Sequence, residues 1–119
     1  MKNPQRESVA RKPSPLDRSQ LLERCLGNAA LAERVVARFQ EQFAAELVRL
    51  EAHLRDGDHA ALTSVSHRLK GTCANVAAEG LREIAARLEE AARAGRTAEA
   101  RAAFDELRAE WTQFNAADW

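Results

Sequence analysis

The sequence predicts an all-α protein: an antiparallel up-down four-helix bundle with a short additional N-terminal helix. Three observations predict this fold. The strong helix formers alanine, leucine, glutamate and arginine dominate the 119 residues, apolar residues recur at steps of three and four, and no alternating β-branched run of the strand type occurs. A chain of this length forms one domain around one core. The connections are short, so consecutive helices should pack antiparallel.

The first fifteen residues differ in composition from the rest of the chain. Residues 1–15 contain all three prolines, several charges and no aromatic residue, so this segment lacks the apolar surface that a packed structure needs. We therefore predict a disordered N-terminal arm over residues 1–15 and a helical bundle domain over residues 16–119. A flexible tail or linker is the simpler interpretation of the arm, and a basic docking arm is the alternative.

Two helices are predicted before the middle of the chain. Asp17 and Gln20 form a capping pair before a short first helix, which Gly27 closes. Asn28 caps a long second helix. The apolar stripe of the second helix is formed by Leu31, Val35, Phe39, Phe43, Leu47, Leu50 and Leu54.

Three further helices follow, each with its own stripe and boundary. Gly57 ends the second helix and Asp58 caps the third. The buried stripe of the third helix is formed by Leu62, Val65, Leu69, Cys73 and Val76. The fourth helix ends at Gly95, and its stripe is formed by Leu81, Ile84, Ala85, Leu88 and Ala92. Thr97 caps the last helix, whose stripe is formed by Ala100, Phe104, Leu107, Trp111 and Phe114.

The most informative motif is the run 67–71 (HRLKG) inside the third helix. At ~100° per residue, His67 lies roughly 160° from the stripe residues on either side of it, and therefore faces solvent. Lys70 and Gly71 follow at i+3 and i+4 and share that face, as do Ser64 and Ala74. A glycine inside a helix costs about 1 kcal/mol relative to alanine. Here the glycine leaves room for another surface to reach the imidazole.

A family resemblance is carried by His67-x-Leu69-Lys70-Gly71, Ala74-Asn75-Val76, Leu81, Leu88-Glu89 and Gly95. From about residue 16 through the last helix, the chain resembles the histidine-containing phosphotransfer (HPt) domain of bacterial multistep phosphorelays. The resemblance implies phosphorelay signal transduction, in which His67 accepts a phosphoryl group from a receiver-domain aspartate and passes it to another receiver. The chain departs from the family at Ala77, where glycine is usual. Alanine is compatible with a helix, so we expect the third helix to end differently, with the chain relaxing at Gly80.

The resemblance and the chemistry of imidazole together suggest roles for four residues. An unperturbed imidazole, with a pKa of about 6.5, is largely unprotonated and nucleophilic near pH 7. Lys70 would neutralise charge on the transferred phosphoryl group, and Gly71 would give access to His67. Glu89 matches a family position near the histidine and would orient the other ring nitrogen; the alternative is an ordinary surface carboxylate.

Partner-binding positions are predicted beside the histidine, at Ser64, Arg68 and Ala74. The resemblance implies receiver domains of response regulators, a hybrid histidine kinase, or both as partners, and a monomeric carrier. The sequence shows no Asp/Glu cluster at metal-ligand spacing. We therefore expect no cofactor of its own, with Mg²⁺ in the acidic pocket of the receiver. The 18 basic and 18 acidic residues balance, which argues against nucleic acid as a partner.

The sequence also bears on where the protein is located in the cell and on whether its cysteines form disulfides or bind zinc. No apolar segment approaches the ~20 residues of a membrane span, and no signal-peptide core is present. Cys25 and Cys73 are far apart, and with three histidines they match neither a disulfide framework nor a zinc pattern. We therefore expect a cytoplasmic protein. The start at Met1 favours a free-standing carrier over a piece of a hybrid kinase.

Two other functional classes compete with the phosphoryl carrier. The first is a non-phosphorylated helical adaptor that binds a receiver or kinase domain as an inhibitor. An adaptor would have no chemical reason to keep His67, Lys70 and Gly71 together. The second is an enzyme, either a histidine kinase core or a phosphohistidine phosphatase, and each needs a sheet-containing domain for which this chain has no room. We therefore predict a phosphoryl carrier without autonomous turnover, which acts only with a docked partner.

Overall fold

A computed structural model of the protein describes residues 16–116. Its helices are α1 (Arg18–Arg24), α2 (Ala29–Asp56), α3 (His59–Asn75), α4 (Glu79–Arg93) and α5 (Thr97–Ala116). All regular secondary structure in this range is helical, so the predicted fold class is confirmed. The predicted arm over residues 1–15 and the C-terminal residues 117–119 lie outside the described range.

The four long helices form a closed ring. Helix α2 packs against α3, α3 against α4, α4 against α5, and α5 returns to α2. Two contacts across the last pair fix its direction. Gln40 in α2 donates a hydrogen bond to Asn115 near the end of α5 (3.0 Å), whereas Glu51, later in α2, pairs with Arg108, earlier in α5 (3.6 Å). The closing pair is therefore antiparallel, as the short connections require of the others.

Local side-chain chemistry sets most helix boundaries. The carboxylate or amide oxygens of Asp17, Asn28 and Asp58 each accept a hydrogen bond from the backbone N–H three residues later, at 3.1, 3.0 and 3.0 Å. Each bond satisfies a donor that the first helical turn leaves unpaired. Gly57 ends α2 in the left-handed conformation, with φ of 69°. These four boundary predictions are confirmed.

The predicted cap at Thr97 is wrong by one position. Arg96 precedes the first turn of α5, and its carbonyl accepts the hydrogen bond from the amide of Ala100 (2.9 Å). Thr97 is the first helical residue. Its hydroxyl lies 3.0 Å from Nε2 of His59 at the start of α3, so Thr97 connects the starts of two helices.

The core is filled from all four long helices. Fully buried large side chains include Phe39, Phe43, Leu50, Leu62, Leu69, Leu81, Leu88, Phe104, Leu107 and Phe114. Trp111 is partly buried and stacks on Phe43, with ring centroids 4.2 Å apart. One detail of the predicted α2 stripe is wrong at its start: Leu31 is exposed, and Val36 takes the buried position. Ala32 is buried as well, and the buried residues of α2 still recur at steps of three and four: Ala32, Val36, Phe39, Phe43, Glu46, Leu50 and Leu54.

The end of α3 departs from the prediction. The helix ends at Asn75, and Ala77 adopts φ of 59°, the left-handed conformation. The amide of Ala78 donates to the carbonyl of Cys73 (3.0 Å) and that of Ala77 to Ala74 (3.1 Å), the two hydrogen bonds of a Schellman motif. The left-handed conformation costs alanine about 1 kcal/mol, yet α3 still ends with this motif at Ala77. The expected relaxation at Gly80 is wrong, because residue 80 lies inside α4.

Helix α1 is tied to this same end of α3. The amide of Asp17 donates to the carbonyl of Ala77 (3.0 Å), and the guanidinium of Arg24 donates to the carbonyl of Ala74. The buried Leu16 and Leu21 anchor α1 in the core. Helix α1 therefore borders the C-terminal end of the helix that carries His67.

Candidate functional site

His67 projects from the middle of α3 into solvent. Its side chain is 68% exposed, while Leu69 and Cys73 on the opposite side of the helix are buried. Gly71, one turn later, is also exposed, and a Cβ added there would meet no atom within 4 Å. The imidazole therefore stands on a surface with open space beside it. This geometry agrees with the helical periodicity that placed His67, Lys70 and Gly71 on one face.

A buried carboxylate on α4 holds one nitrogen of this imidazole. Glu89 is 3% exposed, and its Oε2 lies 3.0 Å from Nδ1 of His67. The alternative interpretation of Glu89 as an ordinary surface carboxylate is therefore wrong. Packing of α3 against α4 brings the two residues together although 22 positions separate them in the chain. Glu89 follows the core residue Leu88, so its side chain enters the edge of the α3–α4 interface.

Two cations share the same carboxylate. Lys70 Nζ lies 2.9 Å from Oε1 of Glu89, and a guanidinium nitrogen of Arg93 lies 2.7 Å from Oε2. Sequence reasoning missed Arg93. Arg93 follows Glu89 at the i, i+4 spacing that is typical of ion pairs on one helix face. That spacing indicates a role for Arg93 at the site only once Glu89 is known to contact the histidine.

These contacts keep Glu89 ionised. Burial on its own raises the pKa of the carboxyl, but hydrogen bonds from Lys70, Arg93 and His67 outweigh it and lower the pKa from 4.5 to about 2. The three donors are more exposed than the carboxylate that they surround. The site is thus a buried negative charge beneath a layer of cationic and polar groups that reach solvent.

The contact with Glu89 determines which ring nitrogen is available for chemistry. An ionised carboxylate is an acceptor, so Nδ1 of His67 must carry the proton and donate it. In the neutral ring the lone pair then resides on Nε2. Within residues 16–116 no side chain or backbone group bonds to Nε2. The arrangement therefore presents a nucleophilic nitrogen to solvent.

The three predicted partner-binding residues occupy different surroundings. Ser64 is exposed one turn before His67. Ala74 is half-buried, and its carbonyl accepts a hydrogen bond from Arg24 of α1. Arg68 is exposed but reaches sideways to α2, where its Nε lies 2.9 Å from Oε2 of Glu46. These residues therefore surround His67 on three sides without forming one cluster.

Glu46 is a second buried carboxylate that the sequence reasoning did not single out. It lies on α2 and also pairs with Arg49, at 2.7 Å. Burial raises the pKa of its carboxyl, but hydrogen bonds from Arg68 and Arg49 outweigh it, so the pKa lies below the ordinary value. The Glu46–Arg68 contact joins α2 to α3 on the side of α3 that faces away from Glu89.

The cysteines are core residues. Cys73 is fully buried, and burial raises the pKa of its thiol to about 12. Cys25 is also buried, and neither forms a disulfide. Over residues 16–116, no group of His, Cys, Asp or Glu side chains could hold a metal ion. In the same range no helix has the length and apolar character that crossing a membrane requires.

An antiparallel helical bundle with an exposed, oriented imidazole beside cations defines the class of histidine phosphotransfer proteins. Comparison with known families supports this class directly. The Hpt domain family matches residues 34–117, and the chain belongs to this family. Histidine phosphotransfer in phosphorelay signalling is accordingly its function.

A solved structure agrees with this assignment. The crystal structure of histidine-containing phosphotransfer protein B (HptB) from Pseudomonas aeruginosa PAO1 is similar to this chain, with a TM-score of 0.81 and 26% sequence identity. The similarity covers 88% of this chain and 91% of HptB. A comparison with curated proteins gives no match.

Proposed function

We propose that Nε2 of His67 accepts a phosphoryl group from the phosphorylated aspartate of a docked receiver domain and passes it to the aspartate of another. The single observation that carries this proposal is the imidazole geometry: an exposed ring whose Nδ1 is held by the buried Glu89. Membership of the family supports the class of reaction, and the geometry of the ring supports Nε2 as the atom that reacts.

The transfer step follows from the tautomer. The Nε2 lone pair attacks the phosphorus, the bond between phosphorus and the aspartyl oxygen breaks, and the receiver carboxylate leaves with the bonding electrons. The Nδ1 proton stays in place, and Glu89 balances the positive charge that develops on the ring. Onward transfer reverses these changes when the carboxylate of a second receiver attacks the phosphorus. The P–N bond keeps a high transfer potential, so the group is passed on.

Lys70 and Arg93 provide positive charge next to the imidazole, through their contacts with Glu89. Phosphoryl transfer depends mainly on positioning and on neutralising charge on the phosphoryl oxygens. Both cations contact Glu89 in the unphosphorylated protein. When a dianionic phosphoryl group arrives, Lys70 turns toward it while Arg93 continues to neutralise Glu89. Mg²⁺ is supplied by the acidic pocket of the receiver, and the carrier contributes no cofactor of its own.

Docking takes place over the exposed face of α3. Gly71 allows the partner backbone to approach, since nothing in the described chain fills the space beside it. Ser64, Arg68 and Ala74 surround the point of contact. Receiver domains, alone or in a hybrid kinase, are the partners. One copy of the chain carries every group that the carrier itself contributes to the transfer, so the carrier acts as a monomer.

The protein is a carrier without turnover of its own, because the phosphoryl donor and the metal both belong to the partner. Two free cysteines fit the reducing conditions of the cytoplasm, where we place it. The alternative of a non-phosphorylated adaptor receives no support from the site. An inhibitor would have no use for an oriented Nδ1 or an unblocked Nε2.

Transfer of label from a phosphorylated receiver tests the proposal. The purified chain is mixed with each receiver domain of the source organism after labelling with radioactive phosphate. Wild type should acquire acid-labile, base-stable label, and His67→Gln should acquire none while keeping its helical circular dichroism spectrum. His53→Gln serves as the matched control, since His53 lies at the end of α2, and it should be labelled normally. Label that persists in His67→Gln would assign the acceptor to another residue.

A further inference from the structure

Arg68, which follows His67 on α3, has a guanidinium that is only partly used inside the chain. Its Nε donates a hydrogen bond to Oε2 of Glu46 on α2, at 2.9 Å. Within residues 16–116 the two terminal nitrogens of this guanidinium make no hydrogen bond or ion pair. Those nitrogens carry four N–H donors in one plane, and the side chain is 55% exposed. Arg68 therefore presents an oriented set of donors to solvent beside His67.

A second exposed arginine shows how an internal ion pair uses the same group. Arg87 on α4 donates from both terminal nitrogens to the two carboxylate oxygens of Glu106 on α5, at 2.9 and 3.0 Å. Both side chains of this pair are about half exposed. The outer edge of that guanidinium is therefore occupied by a carboxylate of the chain itself. Arg68 differs because its carboxylate is buried and bonds to Nε alone.

Burying the carboxylate that holds Arg68 costs free energy. Glu46 is 9% exposed, and a carboxylate loses its hydration when it is buried. Its Oε1 accepts from Arg49 at 2.7 Å and its Oε2 from Arg68, and both arginine side chains are more than half exposed. The negative charge thus lies below the surface, while the two positive charges reach solvent. Because buried ion pairs often add little net stability, this arrangement favours a role in recognition.

The guanidinium lies within the area that a partner covers when it approaches His67. The Cα atoms of His67 and Arg68 are about 3.8 Å apart, and their side chains diverge by about 100° around α3. Neighbouring helices of a bundle lie about 8–10 Å apart. An ordinary interface buries about 800 Å² per partner, which corresponds to a disc of about 16 Å radius. A domain centred on His67 therefore covers the flank of α3 that faces α2, where Arg68 lies.

An open groove between α2 and α3 gives a partner side chain access to this flank. Arg49, Arg68, Glu41 and Thr72 are among the residues that line it. Arg49 and Arg68 lie together, because both contact Glu46. Glu41 lies eight residues before Arg49, about 12 Å away along α2. The end of the groove at the level of His67 is therefore positive, and an anionic group that enters there meets guanidinium donors.

We propose that Arg68 is a docking residue whose terminal guanidinium nitrogens bind a carboxylate on the receiver domain seated over His67, and that the buried Glu46 is its positioning residue. The inference rests on the proposed phosphotransfer function and names one contact through which a receiver is selected. A planar guanidinium matches a carboxylate through two parallel hydrogen bonds. Because Nε is already held, the side chain loses less freedom on binding. A receiver with a cation at that point is disfavoured.

Four variants and a control test docking and positioning separately. Arg68→Gln removes the charge and the guanidinium, whereas Arg68→Lys keeps the charge without the planar group. Glu46→Gln removes the charge of the buried carboxylate and keeps its size. The double variant, Glu46→Gln with Arg68→Gln, removes both charges, so that no buried carboxylate is left with one cation fewer. Arg87→Gln, which breaks the exposed pair between α4 and α5, is the matched control.

Each variant is compared with wild type in labelling by phosphoramidate and in transfer from a phosphorylated receiver. Phosphoramidate is a small phosphoryl donor that reaches His67 without docking, so every variant should be labelled by it at the wild-type rate. With the receiver, Arg68→Gln should lower kcat/KM about tenfold or more, through KM, because a charge-assisted contact is lost. Arg68→Lys should recover part of this loss, and Arg87→Gln should transfer at the wild-type rate. Added salt should lower kcat/KM more steeply for wild type than for Arg68→Gln.

The positioning role of Glu46 is tested by comparing the single and double variants. Glu46→Gln should lower kcat/KM about threefold, because Arg68 then loses more freedom on binding. The double variant should transfer no more slowly than Arg68→Gln, since Glu46 acts on docking only through Arg68. A purely structural role of Glu46 would add the same loss whether or not Arg68 is present.

Each half of the inference can be overturned separately. Wild-type kcat/KM for Arg68→Gln with every receiver that labels the wild type would remove Arg68 from docking. A fall in phosphoramidate labelling equal to the fall in transfer would assign Arg68 to the chemical step instead. A loss in the double variant equal to the product of the two single losses would make Glu46 a structural tie between α2 and α3. Failure of every receiver to label the wild type would refute the proposed function itself and this inference with it.

Discussion

Replacing Glu89 with glutamine should make the stability of the protein less sensitive to acid. Glutamine keeps the size of the side chain and an oxygen that accepts from Nδ1 of His67. It removes the negative charge that Lys70 and Arg93 surround. The substitution therefore isolates the charge of the buried carboxylate from its shape and from its hydrogen bond to the imidazole.

The size of the effect follows from the pKa of Glu89. The folded-state pKa lies at about 2, below the ordinary 4.5. A carboxyl with this shift contributes about 3 kcal/mol at neutral pH, and screening of its partly exposed cations reduces this to about 2 kcal/mol. Because the folded pKa is depressed, the contribution is fully present above pH 4.5 and is lost as the pH falls from 4.5 toward 2.

Urea unfolding, followed by circular dichroism at several pH values between 7 and 3, measures this contribution. At pH 7 the free energy of unfolding of Glu89→Gln should lie about 2 kcal/mol below that of wild type. The gap should narrow to about 1 kcal/mol or less at pH 3. Glu90→Gln, at the neighbouring exposed carboxylate on α4, is the matched control and should follow the wild-type curve at every pH.

Two results would contradict this reasoning. A gap between wild type and Glu89→Gln that stays constant from pH 7 to pH 3 would mean that the charge of Glu89 does not stabilise the fold. A variant more stable than wild type at pH 7 would mean that burial of the carboxylate outweighs its three partners. In either case the charge of Glu89 and its ion pairs with Lys70 and Arg93 could not be what stabilises the packing of α3 against α4.

Two further predictions concern the residues beside His67. Lys70→Ala should slow transfer from a phosphorylated receiver by about tenfold or more, because it removes a charge-assisted contact to the phosphoryl group. Lys70→Arg keeps the charge and is the control. An unchanged rate for the alanine variant in rapid-quench kinetics would exclude Lys70 from the mechanism. Gly71→Leu should raise the free energy of unfolding by about 1 kcal/mol through helix propensity, since the added side chain meets open space, yet weaken receiver binding. Calorimetric titration that gives the wild-type affinity for Gly71→Leu, with Gly71→Ala as the smaller comparison, would refute the access argument.

Local features of the fold were predictable from the sequence, because each depends on residues close together in the chain. The caps at Asp17, Asn28 and Asp58 lie three positions before the amides that they bind. The exposure of His67 follows from helical periodicity against the buried residues of its own helix. Such signals require no knowledge of the neighbouring helix.

Features that depend on packing between helices were not predictable in the same way. The burial of Glu89 and the role of Arg93 follow from the register of α4 against α3, which no local pattern contains. The left-handed Ala77 is a different case. Residue preference favoured a helix that continued toward Gly80, but hydrogen bonds of the closing turn and the contact with Asp17 outweighed the preference of alanine.

The atom that accepts the phosphoryl group is identified most directly by nuclear magnetic resonance. The chain is labelled with ¹⁵N in its histidine side chains and phosphorylated by a receiver, and the coupling between phosphorus and nitrogen is measured. The geometry of His67 and Glu89 predicts phosphorus bonded to Nε2, with the proton retained on Nδ1. Phosphorus bonded to Nδ1, or to a residue other than His67, would contradict it.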